Sequence, residues 1–506
     1  MTLVAGVDSS TQGCKIVIAD LATGKTVRMG RASHPEGSEV DPEAWWTALQ
    51  DSIAAAGGVR DISAIAVSGQ QHGLVALDKG GNVVRKALLW NDTRSAPSAA
   101  DLITEIGGPE VYAQRVGIVP VASFTASKLR WLRDAEPENA KKVAAVALPH
   151  DWLTWRLMGY GPENPDLEKL VTDRSDASGT AYWSGETGDY DEELFKHALG
   201  RSLRVATGTS ESADVDPDAV IVPRVLEPYM KAGVVSHAVL DVDSEVVVGP
   251  GTGDNAGGAL GLGVTVGDVV VSLGTSGAVF SPIDGSLGAG DPSGVVAGFS
   301  SAAGGHLPLI CTLNGARILE AAAKLIRVPE GPAGLTPFVD AAAPGAGGLV
   351  LLPYFEGERT PNLPEAKASL HNMTLANTTP ENIARAAVEA LVCSMAQAIN
   401  ALQSFGTSHT QHKRVLLIGG ASVNPAVQKI ATTVFNVDTV VVPVQTEYVA
   451  RGAALQSGWA LTGRKPQWSL PVARELSCHF EPRVLEQYEK VLVSLHPELK
   501  NTALTQ

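Results

Sequence analysis

Four short polar segments of this 506-residue chain carry residue types that could do chemistry, and each adjoins an apolar run. The first, Asp8-Ser9-Ser10-Thr11-Gln12-Gly13, separates the runs Leu3–Val7 and Lys15–Ala19. A Gly/Ser/Thr turn between strands presents N–H and hydroxyl donors into a concavity, which suits an anion. The same residues also dominate plain hairpin turns, for conformational reasons. Asp8 tilts the balance. A carboxylate at the end of a buried strand is costly unless it holds water, a metal or a donor. Magnesium on nucleotide phosphates uses one or two carboxylates in this way.

The second segment, Gly274-Thr275-Ser276-Gly277, lies between Asp268–Leu273 and Ala278–Phe280 and echoes the first. The third is Gly253-Asp254-Asn255-Ala256-Gly257-Gly258, at the start of a helical pattern. Asp254 there reads either as an N-cap or as a carboxylate aimed into a cleft. In a cleft it could take the proton of a reacting hydroxyl. The fourth, Gly419-Gly420-Ala421-Ser422, is either a tight turn between strand and helix or a flat backbone surface for a nucleotide base or ribose. His72, taken alone, is more often a satisfied structural histidine than a functional one, and it has no nearby His or Cys with which to ligate a metal.

The elements that must position these residues alternate between strand and helix. Leu3 to Asp20 reads as a hairpin, Pro42 to Ala56 as a helix capped by Asp41, and Ile62 to Val67 as a strand. The hairpin pattern returns at Asp268 to Phe280, a weak internal duplication that predicts two domains of related design. A boundary near Asp243 divides the chain into residues 1–243, with the first turn, and 244–506, with Asp254 and the later turns. Further on come a helix at Pro380 to Phe405, a strand at Arg414 to Ile418, a helix from about Pro425, a strand at Thr439 to Val444 and a helix at Ala450 to Leu461. The order implies mixed α/β sheets covered by helices. Tyr160 to Lys169 reads as a surface loop.

Bulk properties exclude several classes. A formal net charge of −15 argues against a nucleic-acid partner. The four cysteines form no C-x-x-C pair, which predicts reduced thiols. No run is apolar enough for a membrane span and the start carries no secretion pattern, so a cytoplasmic location is expected.

Taken in order, Asp8–Thr11, the stretch GQQHG at Gly69–Gly73, Trp90-Asn91-Asp92, Ser175–Thr180, Gly253-Asp254-Asn255, SLGTSG at Ser272–Gly277, Gly357–Pro361 and Gly419-Gly420 resemble the motif series of the FGGY carbohydrate kinases. The resemblance runs from residue 2 to about 462, and within the family it is strongest to kinases acting on xylulose. It implies two ribonuclease-H-like domains, as in actin and hexokinase, with the active site between them. It further implies that ATP, with Mg2+, phosphorylates a small ketose, D-xylulose giving its 5-phosphate. Asp8 and Thr11 would then face the metal and phosphates, Gly274 and Thr275 the phosphates, and Gly419, Gly420 and Asn424 the adenosine. Gln71, His72, Asn255, Trp90 and Asp92 would contact the sugar, with Asp254 as base.

Two positions depart from the family pattern: Gln71 stands where Met is common, and Ser422 where a basic residue is. For Glu358, Arg359 and Thr360 an interdomain ion pair is the expectation. A homodimer is a candidate assembly. The alternatives are a kinase of the same family for ribulose, gluconate or glycerol, or a non-catalytic actin-like protein.

Overall fold

Leu3–Ser9 is buried at every position, and Ile62–Gly69 at all but one. Strands apolar on both faces belong in the middle of a helix-covered sheet. In the computed structural model, which describes residues 1–209, 216, 218–407 and 411–505, they lie side by side. The strands of the first sheet are β1 (Leu3–Ser9), β2 (Gly13–Asp20), β3 (Thr26–Ser33), β4 (Ile62–Gly69), β5 (Gly233–Val234), β6 (Val247–Val248) and β7 (Thr252–Gly253). Those of the second are β8 (Asp268–Leu273), β9 (Gly277–Phe280), β10 (Leu309–Thr312), β11 (Arg414–Ile418), β12 (Thr439–Pro443) and β13 (Val472–Ser477).

The two sheets share one plan. In the first, β3, β2 and β1 form an antiparallel meander, β4 and β6 continue in parallel, and β5 closes antiparallel. In the second, β10, β9 and β8 form the meander, β11 and β12 continue in parallel, and β13 closes antiparallel. The duplication expected from the hairpins therefore extends to whole sheets. These are the two ribonuclease-H-like halves.

The boundary expected at residue 243 is displaced. β6 pairs with β4 in parallel and β7 pairs with β4 at Ser68 and Gly69, so both complete the first sheet. Asp254 thus follows a strand of the first domain, and the second sheet begins only at Asp268. Pairing between segments so far apart in sequence leaves no local trace.

Helices that bear on the site are α1 (Pro42–Ala55), α2 (Thr125–Ala135), α3 (Pro149–Leu157), α4 (Arg174–Ala177), α5 (Asp254–Leu262), α6 (Arg317–Leu325), α7 (Pro380–Gln403), α8 (Pro425–Val434) and α9 (Tyr448–Thr462). Asp41 caps α1 by accepting from Glu43 N, with Pro42 at the first helical position. The Tyr160–Lys169 segment is tied down by Trp155 Nε1, which donates to the Asp166 carbonyl at 2.9 Å.

Although α9 lies far along the sequence, it packs on β1, β4 and α5 of the first sheet. Glycines set that contact. A Cβ on Gly452 would sit 1.8 Å from the Gly257 carbonyl oxygen, and one on Gly261 would sit 1.9 Å from that of Tyr448. Backbone meets backbone there, so no side chain can turn aside. Gly452→Ala should cost at least the ~1–3 kcal/mol typical of overpacking. Gly258→Ala, whose Cβ would meet only Val449 at 3.7 Å, should be neutral or stabilising. Urea denaturation of the two variants checks this; equal midpoints would contradict the packing described.

Candidate active site

The carboxyl ends of β1, β4 and β7 place their residues in register. Asp8 pairs with Ser68, and Ser68 with Thr252, so Asp8 and the Asp254 that follows β7 belong to one edge. Ser68 ties that edge together, donating to the Gly253 carbonyl at 3.2 Å and accepting from the Thr252 hydroxyl at 2.8 Å.

Asp254 is the first residue of α5, and Gly253 occupies the N-cap, so the capping alternative does not hold. Its Oδ1 accepts from the Asn255 amide N–H at 2.7 Å and from Asn255 Nδ2 at 3.0 Å. The residue is only half-buried by contact area, but protein surrounds it at longer range. This desolvation, followed by the negative charge of Asp8, pushes its carboxyl up to about 7. Burial likewise lifts Asp8 to about 6 against the opposing pull of Lys15.

Lys15 was not among the expected site residues. It pairs with Asp8 across the hairpin, and its Nζ lies 3.5 Å from Asp8 Oδ2 and 2.8 Å from Glu447 Oε2. The cross-strand register was the signal that would have found it: a cation facing Asp8 across the first turn. Thr11, in that turn, accepts from Trp90 Nε1 at 2.8 Å, so the Trp90-Asn91-Asp92 motif is joined to the first turn. Asp92 is committed locally, accepting from Ser38 Oγ at 2.8 Å and Arg94 Nε at 2.8 Å.

Gln71 and His72 converge on the same region. Gln71 Oε1 accepts from Asn255 Nδ2 at 3.1 Å, while its Nε2 donates to the Ser175 carbonyl at 3.3 Å. The Gln71 amide thus links α4 to the first turn of α5. The His72 ring lies against Phe124 and Phe299, the latter preceding β10 of the second sheet. Ser175 Oγ also accepts from Gly253 N–H at 3.0 Å. Behind it, fully buried His150 lies 3.2, 3.5 and 3.3 Å from carboxylate oxygens of Asp151, Asp173 and Asp176. Burial alone would lower His150, but these three carboxylates hold it up at about 9.

On the second sheet, the turn after β8 and the turn after β11 adjoin, because Ser272 pairs with Ile418. Gly274 and Thr275 accept through their carbonyls from Ala316 and Gly315 N–H at 2.7 and 3.1 Å, with the Thr275 side chain exposed. Gly419 has φ 89°, and a Cβ there would lie 2.6 Å from the Leu273 backbone, so only glycine fits. Gly420 has open space where a Cβ would go. Asn424 caps α8, accepting from Ala426 N–H at 2.9 Å and donating to the Pro332 carbonyl at 2.9 Å.

The expected interdomain ion pair at Glu358–Thr360 is replaced by bonds within the second domain. Glu358 accepts from Leu313 N–H at 2.5 Å, Asn314 Nδ2 at 2.8 Å and Arg359 N–H at 2.8 Å. These donors hold the segment after β10.

Residues 3–261 match the N-terminal domain of the FGGY family of carbohydrate kinases, and residues 269–461 match its C-terminal domain. The chain belongs to that family. It is 41% identical to the xylulose kinase of Streptomyces rubiginosus over 96% of this chain and 93% of that one. It is 31% identical to the xylulose kinase of Haemophilus influenzae over 90% of each chain. The crystal structure of xylulose kinase from Bifidobacterium adolescentis is 43% identical, covers 97% of this chain and 99% of its own, and superposes with a TM-score of 0.88. The first family match ends at 261, in agreement with the strand pairing that assigns Asp254 to the first domain.

The elevated Asp254 and Asp8 carboxyls have a thermodynamic consequence. Both fold into sites that favour the protonated form, so the native state holds protons the unfolded chain has already released. Stability contributed by these groups is therefore lost as pH rises from about 4 through about 7. Asp254→Asn should melt higher than the parent at about pH 8 and lose that advantage near about pH 4. Calorimetry across the range checks it, and a constant difference at every pH would contradict it.

Proposed function

We propose that this kinase transfers the γ-phosphoryl group of ATP to O5 of D-xylulose, with Asp254 as the proton acceptor. One observation carries the reading: a desolvated carboxylate with no cationic partner among the described residues, one register step from the first turn of the same sheet. The names of the relatives at 41% and 43% identity supply the sugar.

In the transfer, the O5–phosphorus bond forms as the bond from phosphorus to the β–γ bridging oxygen breaks, and ADP departs. The O5 proton passes to an Asp254 carboxylate oxygen. An acceptor poised at about 7 is ionised often enough to act and basic enough to take the proton. Lys15 and the N–H groups of the two turns face the developing phosphate charge. Asp8 Oδ1 is buried without a hydrogen-bond partner, and that open valence fits magnesium carried in on the nucleotide phosphates. Bound there, the ion would neutralise phosphate charge. Gly419 and Gly420 offer an open backbone face for adenosine, and Asn424 borders it.

His72, Gln71 and Asn255 read the sugar hydroxyls, and Trp90 and Asp92 complete the sugar side of the site. A cytoplasmic location, where ATP is supplied, fits this reaction; no helix among the described residues is long and apolar enough to cross a membrane. A homodimer is the assembly to look for by light scattering.

Asp254→Ala should lower kcat by ~10²–10⁴-fold, the scale of a lost general base, with ATP affinity nearly unchanged. Steady-state kinetics on D-xylulose, L-ribulose, gluconate and glycerol test the assignment. D-xylulose should give the highest kcat/KM, and a clear preference for another acceptor would overturn it. Asp8→Asn should abolish turnover yet still bind sugar in calorimetry. Loss of sugar binding by that folded variant would remove Asp8 from the phosphate side.

A further inference from the structure

Lys128, on α2, is completely buried, and its ammonium faces backbone rather than a carboxylate. Nζ donates to the His72 carbonyl at 2.8 Å and to the Ser123 carbonyl. Thr125 Oγ1 donates to the same His72 carbonyl at 3.3 Å. An ammonium is expensive to bury. Burial lowers the pKa of Lys128 to about 7, with Asp92 and Asp176 pulling the other way. The residue that receives two donors is itself unusual. His72 has φ 71°, in the left-handed region that non-glycine residues rarely adopt.

The His72 ring is held as firmly as its backbone. Its centroid lies 4.8 Å from that of Phe124 and 5.5 Å from that of Phe299. Nδ1 is 3.0 Å from the Gly179 carbonyl oxygen. A carbonyl can only accept, so Nδ1 carries the hydrogen and Nε2 keeps its lone pair. Burial first, then the positive charges of Lys128 and Arg359, hold the imidazole neutral. Among the described residues the ring's hydrogen bond is the one at Nδ1, which leaves the Nε2 lone pair for a hydroxyl donor.

We propose that Lys128 is a positioning residue for acceptor recognition: by clamping the His72 carbonyl it fixes the ring as the Nδ1–H tautomer and presents Nε2 as an acceptor for a sugar hydroxyl. The inference rests on the sugar-kinase reading for the identity of that hydroxyl, but not for the tautomer. Lys128 touches no substrate. It acts through His72, and its effect falls on sugar affinity rather than on phosphoryl transfer.

The test combines kinetics with ¹⁵N-histidine NMR on the full chain. In the parent protein His72 should give the neutral Nδ1–H signature. Lys128→Met should shift that signal toward the other tautomer or toward exchange. The same variant should raise the KM for D-xylulose about ten- to hundredfold, the scale of a lost hydrogen bond to a charged donor. Its kcat at saturating sugar and its sugar-free ATP hydrolysis should be nearly unchanged. In a His72→Ala background the added Lys128→Met change should alter KM no further, because the two residues act as one unit.

An unchanged tautomer with an unchanged KM would overturn the proposal, as would fully additive effects in the double variant. Thr125→Val removes the second donor and should move KM in the same direction by about threefold. If Lys128→Met does not fold, an unchanged signal and KM in Thr125→Val overturn the clamp. If the parent turns over none of the sugars, the proposed function fails while the NMR signature still decides the role of Lys128.

Discussion

The candidate site depends on desolvating two carboxyls near each other, only one of them beside a cation. Asp8 and Asp254 end up at one edge because β1, β4 and β7 run parallel and in register. Lys15 lies beside Asp8, whereas the donors to Asp254 are the amide N–H and side-chain amide of Asn255. Desolvation and the neighbouring charge then make Asp254 a better base than a surface carboxylate, at the expense of stability. Everything around it works to keep that geometry from relaxing.

The surroundings do this in layers. Gln71 and Ser175 bind the start of α5 from one side, and the His150 cluster anchors α4 beneath Ser175. From behind, α9 presses on α5 through glycine contacts too close for any side chain. His72 is locked at its carbonyl and at Nδ1, with aromatic rings from both domains against it. Rigid placement of a few polar groups suits an enzyme that must tell one sugar from another by its hydroxyls.

Local signals were readable in the sequence wherever structure is local. The two hairpins, the capped helix at Asp41–Pro42 and the Gly419-Gly420 turn follow from neighbouring residues alone, and their echo correctly announced a duplicated design. What escaped was non-local. The boundary near 243 failed because β6 and β7 find their partner in β4, far back in the chain. Lys15 reads as an ordinary strand residue until the hairpin register sets it against Asp8. Lys128 sits in an unremarkable amphipathic helix, and nothing near it in sequence announces that its ammonium will be buried on a histidine carbonyl. Glu358 likewise shows its role only once Leu313 and Asn314 are folded onto it.

On the proposed reading, Asp254 is held as a strengthened base before any substrate arrives. Titrating its carboxyl carbon directly, by ¹³C NMR on aspartate-labelled enzyme with Asp254→Asn to assign the signal, tests this without reference to turnover. The ligand-free protein should show an apparent pKa of about 7. A titration near the ordinary aspartate value of about 4 would contradict it.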